Sequence, residues 1–214
     1  MTDIKVIGIL GAGRVGTALA RRALAAGYEV RIASARAPSE IALMMDFVAP
    51  GAVPATTEQV IAESDMVLLA LPLSKYRSLR PEAFAGKIAV DAMNYWPQTD
   101  GVLPEFEGAP VSSEVVADHL AGARLLRAFN HLGYHELDAE ARPAGDPGRR
   151  ALAIAGDDAA ARADLAVVID RMGFDPVDAG PLAQARAFAI GTPLFGAPLG
   201  RVEMQEALAG QQAA

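Results

Sequence analysis

The residues of this chain best suited to chemistry are three glycines. Gly11-Ala12-Gly13-Arg14-Val15-Gly16 spells G-x-G-x-x-G directly after an apolar run over residues 4–10 and at the head of a helical pattern. In that setting the first glycine permits a tight turn, the second lets a pyrophosphate approach the backbone, and the third lets helix and strand pack closely. Free N–H groups and the positive end of the helix dipole then hold the anion. Glycines that merely tighten a strand-to-helix turn would look alike, but the order strand, glycines, helix favours the phosphate site.

Dinucleotides are sorted about 20 residues further on, at the end of the second strand, where an acid binds a ribose 2′-hydroxyl. Here that stretch reads Ile32-Ala33-Ser34-Ala35-Arg36, and no acid lies between Glu29 and Glu40. Ser34 offers a hydrogen-bond donor. Arg36 offers a charge-assisted fork that can also stack on adenine, so the pair suits a 2′-phosphate. Arg14 adds positive charge nearby, and the expected cofactor is NADP(H).

Three later strand ends carry polar and aromatic groups toward one crevice. They are Leu71-Pro72, the stretch Asp91-Ala92-Met93-Asn94-Tyr95-Trp96-Pro97, and Ala128-Phe129-Asn130-His131. Open sheets bind ligands outside the carboxyl ends of their strands, and a nicotinamide carboxamide needs donors and acceptors such as Asn94 and Asn130. Asparagines that only form turns are the competing reading for both.

The chain has three histidines. His119 sits near a helix C-terminus, where the dipole favours a cation, and reads as structural. His131 and His135 are four apart and would share a face on a helix. Without H-E-x-x-H or an evident third ligand no metal is expected. His131 is the candidate catalytic residue, facing substrate.

The elements that must position these groups follow from patterning. Short apolar runs at 4–10, 28–33, 66–71, 87–91, 124–130, 151–155 and 174–177 alternate with helical stretches at 38–47, 57–63, 113–121 and 158–172. Such alternation is the sequence form of repeated strand-helix-strand units. The expected fold is α/β: a Rossmann-type doubly wound, mostly parallel sheet in the order 3-2-1-4-5-6, helices on both faces, two further strands, and a short C-terminal arm. Residues 1–180 form the NADP-binding domain with its strand-helix-strand extension, and 181–214 a C-terminal helix, at 182–190, and arm. Leu194, Phe195 and Leu199 in that arm are too apolar for water. They are expected to be buried in a homodimer, with packing back on the same domain as the alternative.

Composition narrows the classes. With 52% hydrophobic residues over 214 positions the chain can bury a sizeable core. A formal charge of −7 opposes a nucleic-acid or anionic-membrane partner, and the lack of cysteine excludes disulfides and thiol chemistry. No run approaches the roughly 18 apolar residues of a spanning helix. A cytoplasmic protein with a small-molecule hydride acceptor is expected.

Taken together, G-A-G-R-V-G, S-A-R, L-A-L-P, V-D-A-M-N-Y-W and R-A-F-N-H-L-G-Y-H-E-L resemble the NADPH-dependent coenzyme F-420 reductase family, and the stretch to about Leu182 is also similar to the reductase domain of the STEAP metalloreductases. The resemblance implies a Rossmann domain carrying NADP(H), with the deazaflavin F-420 laid against the nicotinamide for direct hydride transfer. It puts Ser34 and Arg36 on the 2′-phosphate, Gly11, Ala12, Gly13, Arg14, Val15 and Gly16 on the pyrophosphate, and Ala128, Phe129 and Asn130 beside the nicotinamide. Ala35 stands where related members have a second arginine, and Ala12 replaces a phosphate-facing threonine. Both leave the acceptor open. Hydride transfer between rings asks for stacking and water exclusion more than for an acid or base. Competing readings are an NADPH-dependent reductase of a quinone, imine or flavin, with His131 or Tyr134 as proton donor, and a non-catalytic NADPH sensor.

Overall fold

The structure is a computed structural model that describes residues 3–107 and 111–212. Its order is β1 (Val6–Leu10), α1 (Arg14–Ala25), β2 (Glu29–Ala33), α2 (Pro38–Val48), β3 (Val53–Pro54), α3 (Thr57–Glu63), β4 (Met66–Leu69), β5 (Ile88–Asp91), α4 (Pro97–Asp100), α5 (Ser112–His119), β6 (Arg124–Arg127), α6 (Tyr134–Ala139), β7 (Ala151–Gly156), α7 (Ala159–Arg171), β8 (Asp175–Gly180) and α8 (Arg201–Gln212). The strands form one sheet in the order β3-β2-β1-β4-β5-β6-β7-β8. This is the expected doubly wound order with two strands added.

Local chemistry explains the elements. β4 is wholly buried, as a parallel strand covered on both faces must be. α1 turns Gly16, Ala18, Leu19, Ala20 and Ala23 inward, and Gly27 ends the turn beyond it in the left-handed region at φ +86°. α3 starts on a reciprocal capping box between Thr56 and Gln59. β3 is two residues long and ends on Pro54, an edge strand that cannot be extended by a further donor. The run expected to reach residue 130 stops as a strand at Arg127, because Phe129 takes φ +62° and swings the chain out of the sheet.

Two apolar clusters cover the faces of the sheet, one around Ile7, Leu68, Leu126 and Phe174, the other around Val67, Leu69, Phe84 and Val116. β1 to β6 run parallel, while β7 pairs antiparallel with β6, Leu126 against Gly156 and Arg127 against Ala155. The first residues of β7 therefore project past the carboxyl end of β6, and β8 runs parallel to it. A third cluster lies there. Phe188, Leu194, Met204 and Leu208 pack on Ala151, Ala153, Val177 and Ala179.

The tail thus folds back on its own sheet. Residues 182–188 are a 3₁₀ helix, and α8 turns Met204 and Leu208, four residues apart, to the same cluster. Sequence patterning gave no helix at 201–212, since only that pair marks its inner face. Leu194 is 2% exposed within the single chain, so no second subunit is needed to bury it. Phe195 and Leu199 are half-buried. Among the described residues no helix is long and apolar enough to cross a membrane.

Candidate functional site

The parallel strands bring every expected site segment to one edge of the sheet. Along that edge the turns after β2, β1, β4, β5 and β6 stand in sequence, neighbours about 4.8 Å apart. The switch point falls between β1 and β4, where the chain reverses its direction of winding.

At β1 the three glycines prove unequal. A Cβ on Gly11, whose φ is +116°, would lie 2.3 Å from the Ala70 carbonyl oxygen, and one on Gly16 would lie 1.8 Å from that of Gly11. Both serve the fold. A Cβ on Gly13 would meet nothing within 4 Å. Gly13 is the exposed N-cap of the 12-residue α1, which has no side-chain cap and no acid in its first turn. The protein's own packing does not explain the missing side chain, whereas close approach of a pyrophosphate to unpaired N–H groups does. Ala12 and Val15 are half-buried beside it. Arg14 is exposed, its Nη1 donating to the Tyr134 hydroxyl at 3.1 Å.

At β2, Ser34 Oγ accepts the Arg36 N–H at 3.0 Å and shapes the turn. Its O–H is turned to the Arg36 carbonyl at 3.4 Å, leaving the exposed Arg36 guanidinium as the group free to answer a 2′-phosphate. The next acid, Glu40, is folded onto the start of α2, where its Oε2 accepts the Ala37 N–H at 2.8 Å. A 2′-phosphate thus faces a cation, with the following carboxylate occupied. These residues fit NADP(H).

The far end is built differently. Leu71 is half-buried and Pro72 exposed at the end of β4. Beneath the next turns lies a buried ion pair that sequence reading missed. Arg127 Nη1 and Asp91 Oδ2 are 2.8 Å apart, and the two side chains are 3% and 0% exposed. Asp91 also accepts from Ser113 Oγ at 2.6 Å and Met93 N at 2.9 Å, while Arg127 Nη2 donates to Asn94 Oδ1 at 3.0 Å. Asn94 Nδ2 donates in turn to the Asn130 carbonyl at 2.7 Å. The signal was an acid and a base at the ends of adjacent strands, legible only once their pairing is known.

Two expectations need correction here. Asn130 is 2% exposed; its Nδ2 donates to the Phe188 carbonyl at 3.0 Å, so its amide holds the tail rather than facing a ligand. His131, also 2% exposed, has both ring nitrogens in use. Nε2 accepts the Ala153 N–H at 3.1 Å, which leaves the proton on Nδ1 to be donated to Asn130 Oδ1 at 3.2 Å. Burial, with Arg127 and Arg150 nearby, lowers its pKa to about 3. His131 is a neutral structural residue and not a catalytic one. It lies ahead of α6, so it shares no helix face with His135, whose ring lies tilted by 40° against that of Tyr134 with centroids 3.9 Å apart. His119 Nε2 donates to the Leu79 carbonyl at 2.9 Å.

What this end offers a ligand is backbone and apolar surface. Ala128 and Phe129 are buried at this edge. Phe129 is the one non-glycine described residue at positive φ, a conformation that costs roughly 1–2 kcal/mol and clusters at ligand sites. Aromatic rings also gather there: Trp96 and Phe195 meet edge to face with centroids 6.3 Å apart.

Fold and site together have the form of a Rossmann-type dinucleotide-binding domain, and comparison with known proteins agrees with that fold. Residues 6–95 match the family described as NADP oxidoreductase, coenzyme F-420-dependent. The metalloreductase STEAP3 of Rattus norvegicus is 29% identical over 182 residues, 84% of this chain, and the chain spans about a third of that relative, 35% of its length. A hypothetical protein of Sinorhizobium meliloti has the same fold with a TM-score of 0.79 and 29% identity, covering 91% of this chain and 94% of its own. An Arthrobacter protein, provisionally an F-420-dependent NADP reductase, superposes with a TM-score of 0.71 at 24% identity, over 99% of this chain and 96% of its own. The family match lies in residues 6–95, the segment that carries β1 to β5 and the glycine turn.

Proposed function

We propose that the protein passes a hydride between NADP(H) and a planar acceptor laid against the nicotinamide, and that the deazaflavin F-420 is the best single acceptor. The observation that carries this reading is the division of labour along the edge: a phosphate end with Gly13 and Arg36 open, and a far end where Asp91, Arg127, Asn94, Asn130 and His131 are bonded to one another and to the backbone. Of the two candidate proton donors, His131 is buried, neutral and bonded at both nitrogens, and the Tyr134 hydroxyl is engaged by Arg14 at the phosphate end. Bound NADPH supplies the hydride. The chain's part is to grip the phosphates with the head of α1, answer the 2′-phosphate with Arg36, and hold the rings in register while excluding water. The family description, which names coenzyme F-420, supports the acceptor.

The test is anaerobic stopped-flow absorbance with NADPH deuterated on one face at C4. Label transferred to the deazaflavin is expected. Turnover of a flavin or quinone without deazaflavin reduction at saturating NADPH would replace F-420 by that acceptor. Tight NADPH binding with no turnover of any acceptor would point to a sensor.

A further inference from the structure

We infer that Trp96 and Phe195 form the wall against which the acceptor ring packs, so the C-terminal segment 189–199 is a part of the site. The inference rests on the proposed hydride transfer for its chemistry, but its geometry stands apart. Trp96 is 45% exposed, two residues beyond Asn94 on the turn that follows β5. Leaving an indole half in water forgoes apolar burial, and here it stands at a ligand-binding edge beside a second ring. The pair's centroid separation of 6.3 Å at 71° gives a face meeting an edge, the corner into which a third flat ring can slide in offset contact.

Both rings are held from behind. The Trp96 N–H donates to Asp100 Oδ2 at 3.0 Å, while Asp100 Oδ1 accepts the Ser74 N–H at 3.1 Å, tying the turn after β5 to the turn after β4. Phe195 lies between Leu194, buried in the third cluster, and Gly196, which is bonded at both backbone groups. The Gly196 N–H donates to the His131 carbonyl at 3.0 Å. Its carbonyl accepts from Arg150 Nη2 at 2.9 Å, and Arg150, 5% exposed, is steadied by Glu140 at 2.6 Å. The amide of Asn130 holds Phe188 at the start of the segment. The Asn130-His131 pair at the end of β6 is therefore a clamp that delivers Phe195 to Trp96. It acts through the wall and does not touch substrate.

The ligand class that fits is a conjugated, planar heterocycle. The test uses the fact that Trp96 is the only tryptophan in the chain. With the full chain saturated in NADP⁺, which does not absorb the emission of tryptophan, deazaflavin F-420 and riboflavin are titrated and the signal is corrected for inner-filter loss. Saturable quenching is expected from a planar ring and none from cyclohexanol. Phe195→Ala should weaken ring binding about tenfold and leave NADP⁺ affinity within twofold, and Phe195→Leu should fall between. Both are checked for folding by thermal melting, and the leucine variant serves if the alanine one does not fold. Absence of quenching by either ring, or unchanged ring affinity in the folded variant, overturns the wall. Quenching without NADPH oxidation keeps the wall and removes the hydride-transfer reading, whereas oxidation with an unchanged acceptor KM in the variant does the reverse.

Discussion

The two ends of the carboxyl edge use their residues in opposite ways. At β1 and β2 the recognition groups are free: Gly13 leaves open space and Arg36 is exposed. At β5 and β6 the polar side chains are spent on one another, with Asp91, Arg127, Asn94, Asn130 and His131 all bonded inside the protein. On the proposed function the difference matches the two parts of the ligand. A phosphate is gripped by charge and by backbone donors on a short local motif, whereas two stacked rings need a rigid, dry surface whose polar groups are already satisfied.

The largest effect is expected from breaking the locked end. Asp91→Ala leaves Arg127 buried and unpaired, which should destabilise the fold by about 3–5 kcal/mol in urea denaturation. The double change Asp91→Leu with Arg127→Met should recover most of that stability without recovering the hold on Asn94. A double variant no more stable than the single would show that this end is held by something other than the ion pair.

The open end should answer in affinity instead. Gly13→Val puts a side chain into vacant space, so the melting temperature should hardly move, while NADPH and NADH should both bind at least about 100-fold more weakly by calorimetry. Arg36→Ala removes charge-assisted hydrogen bonds worth about 1.5–3 kcal/mol, or roughly 10- to 150-fold in NADPH affinity, and leaves NADH unchanged. Equal losses for both cofactors would undo the 2′-phosphate assignment.

The effect that is smallest near neutral pH, and grows only in acid, sharpens the contrast. His131 has a folded-state pKa of about 3 against about 6.5 in an unfolded chain. Between those values the unfolded state binds the extra proton, so stability falls as pH drops, by at most about 1.4 kcal/mol per pH unit, and is level above 6.5. His131→Gln, which does not titrate, should flatten that limb while changing the hydride-transfer rate little. A rate tracking His131 ionisation would restore it to the chemistry.

How much of this was legible follows from where each signal sits in the chain. G-A-G-R-V-G and S-A-R are contiguous, so the turn they form and the groups it leaves open, Gly13 and Arg36, could be read directly. The strand order too followed from alternating apolar runs and the handedness of parallel connections. The roles of Asn130 and His131 could not be read that way. Asparagine and histidine serve equally as ligands or as internal bonds, and the choice depended on Ala153, on an antiparallel strand that overruns β6, and on Phe188 in the tail. The same holds for Phe195. A sequence states which groups exist and which lie within a turn of one another; only the packed chain sets which distant backbone groups a buried polar side chain must satisfy, and burial leaves it no water to turn to.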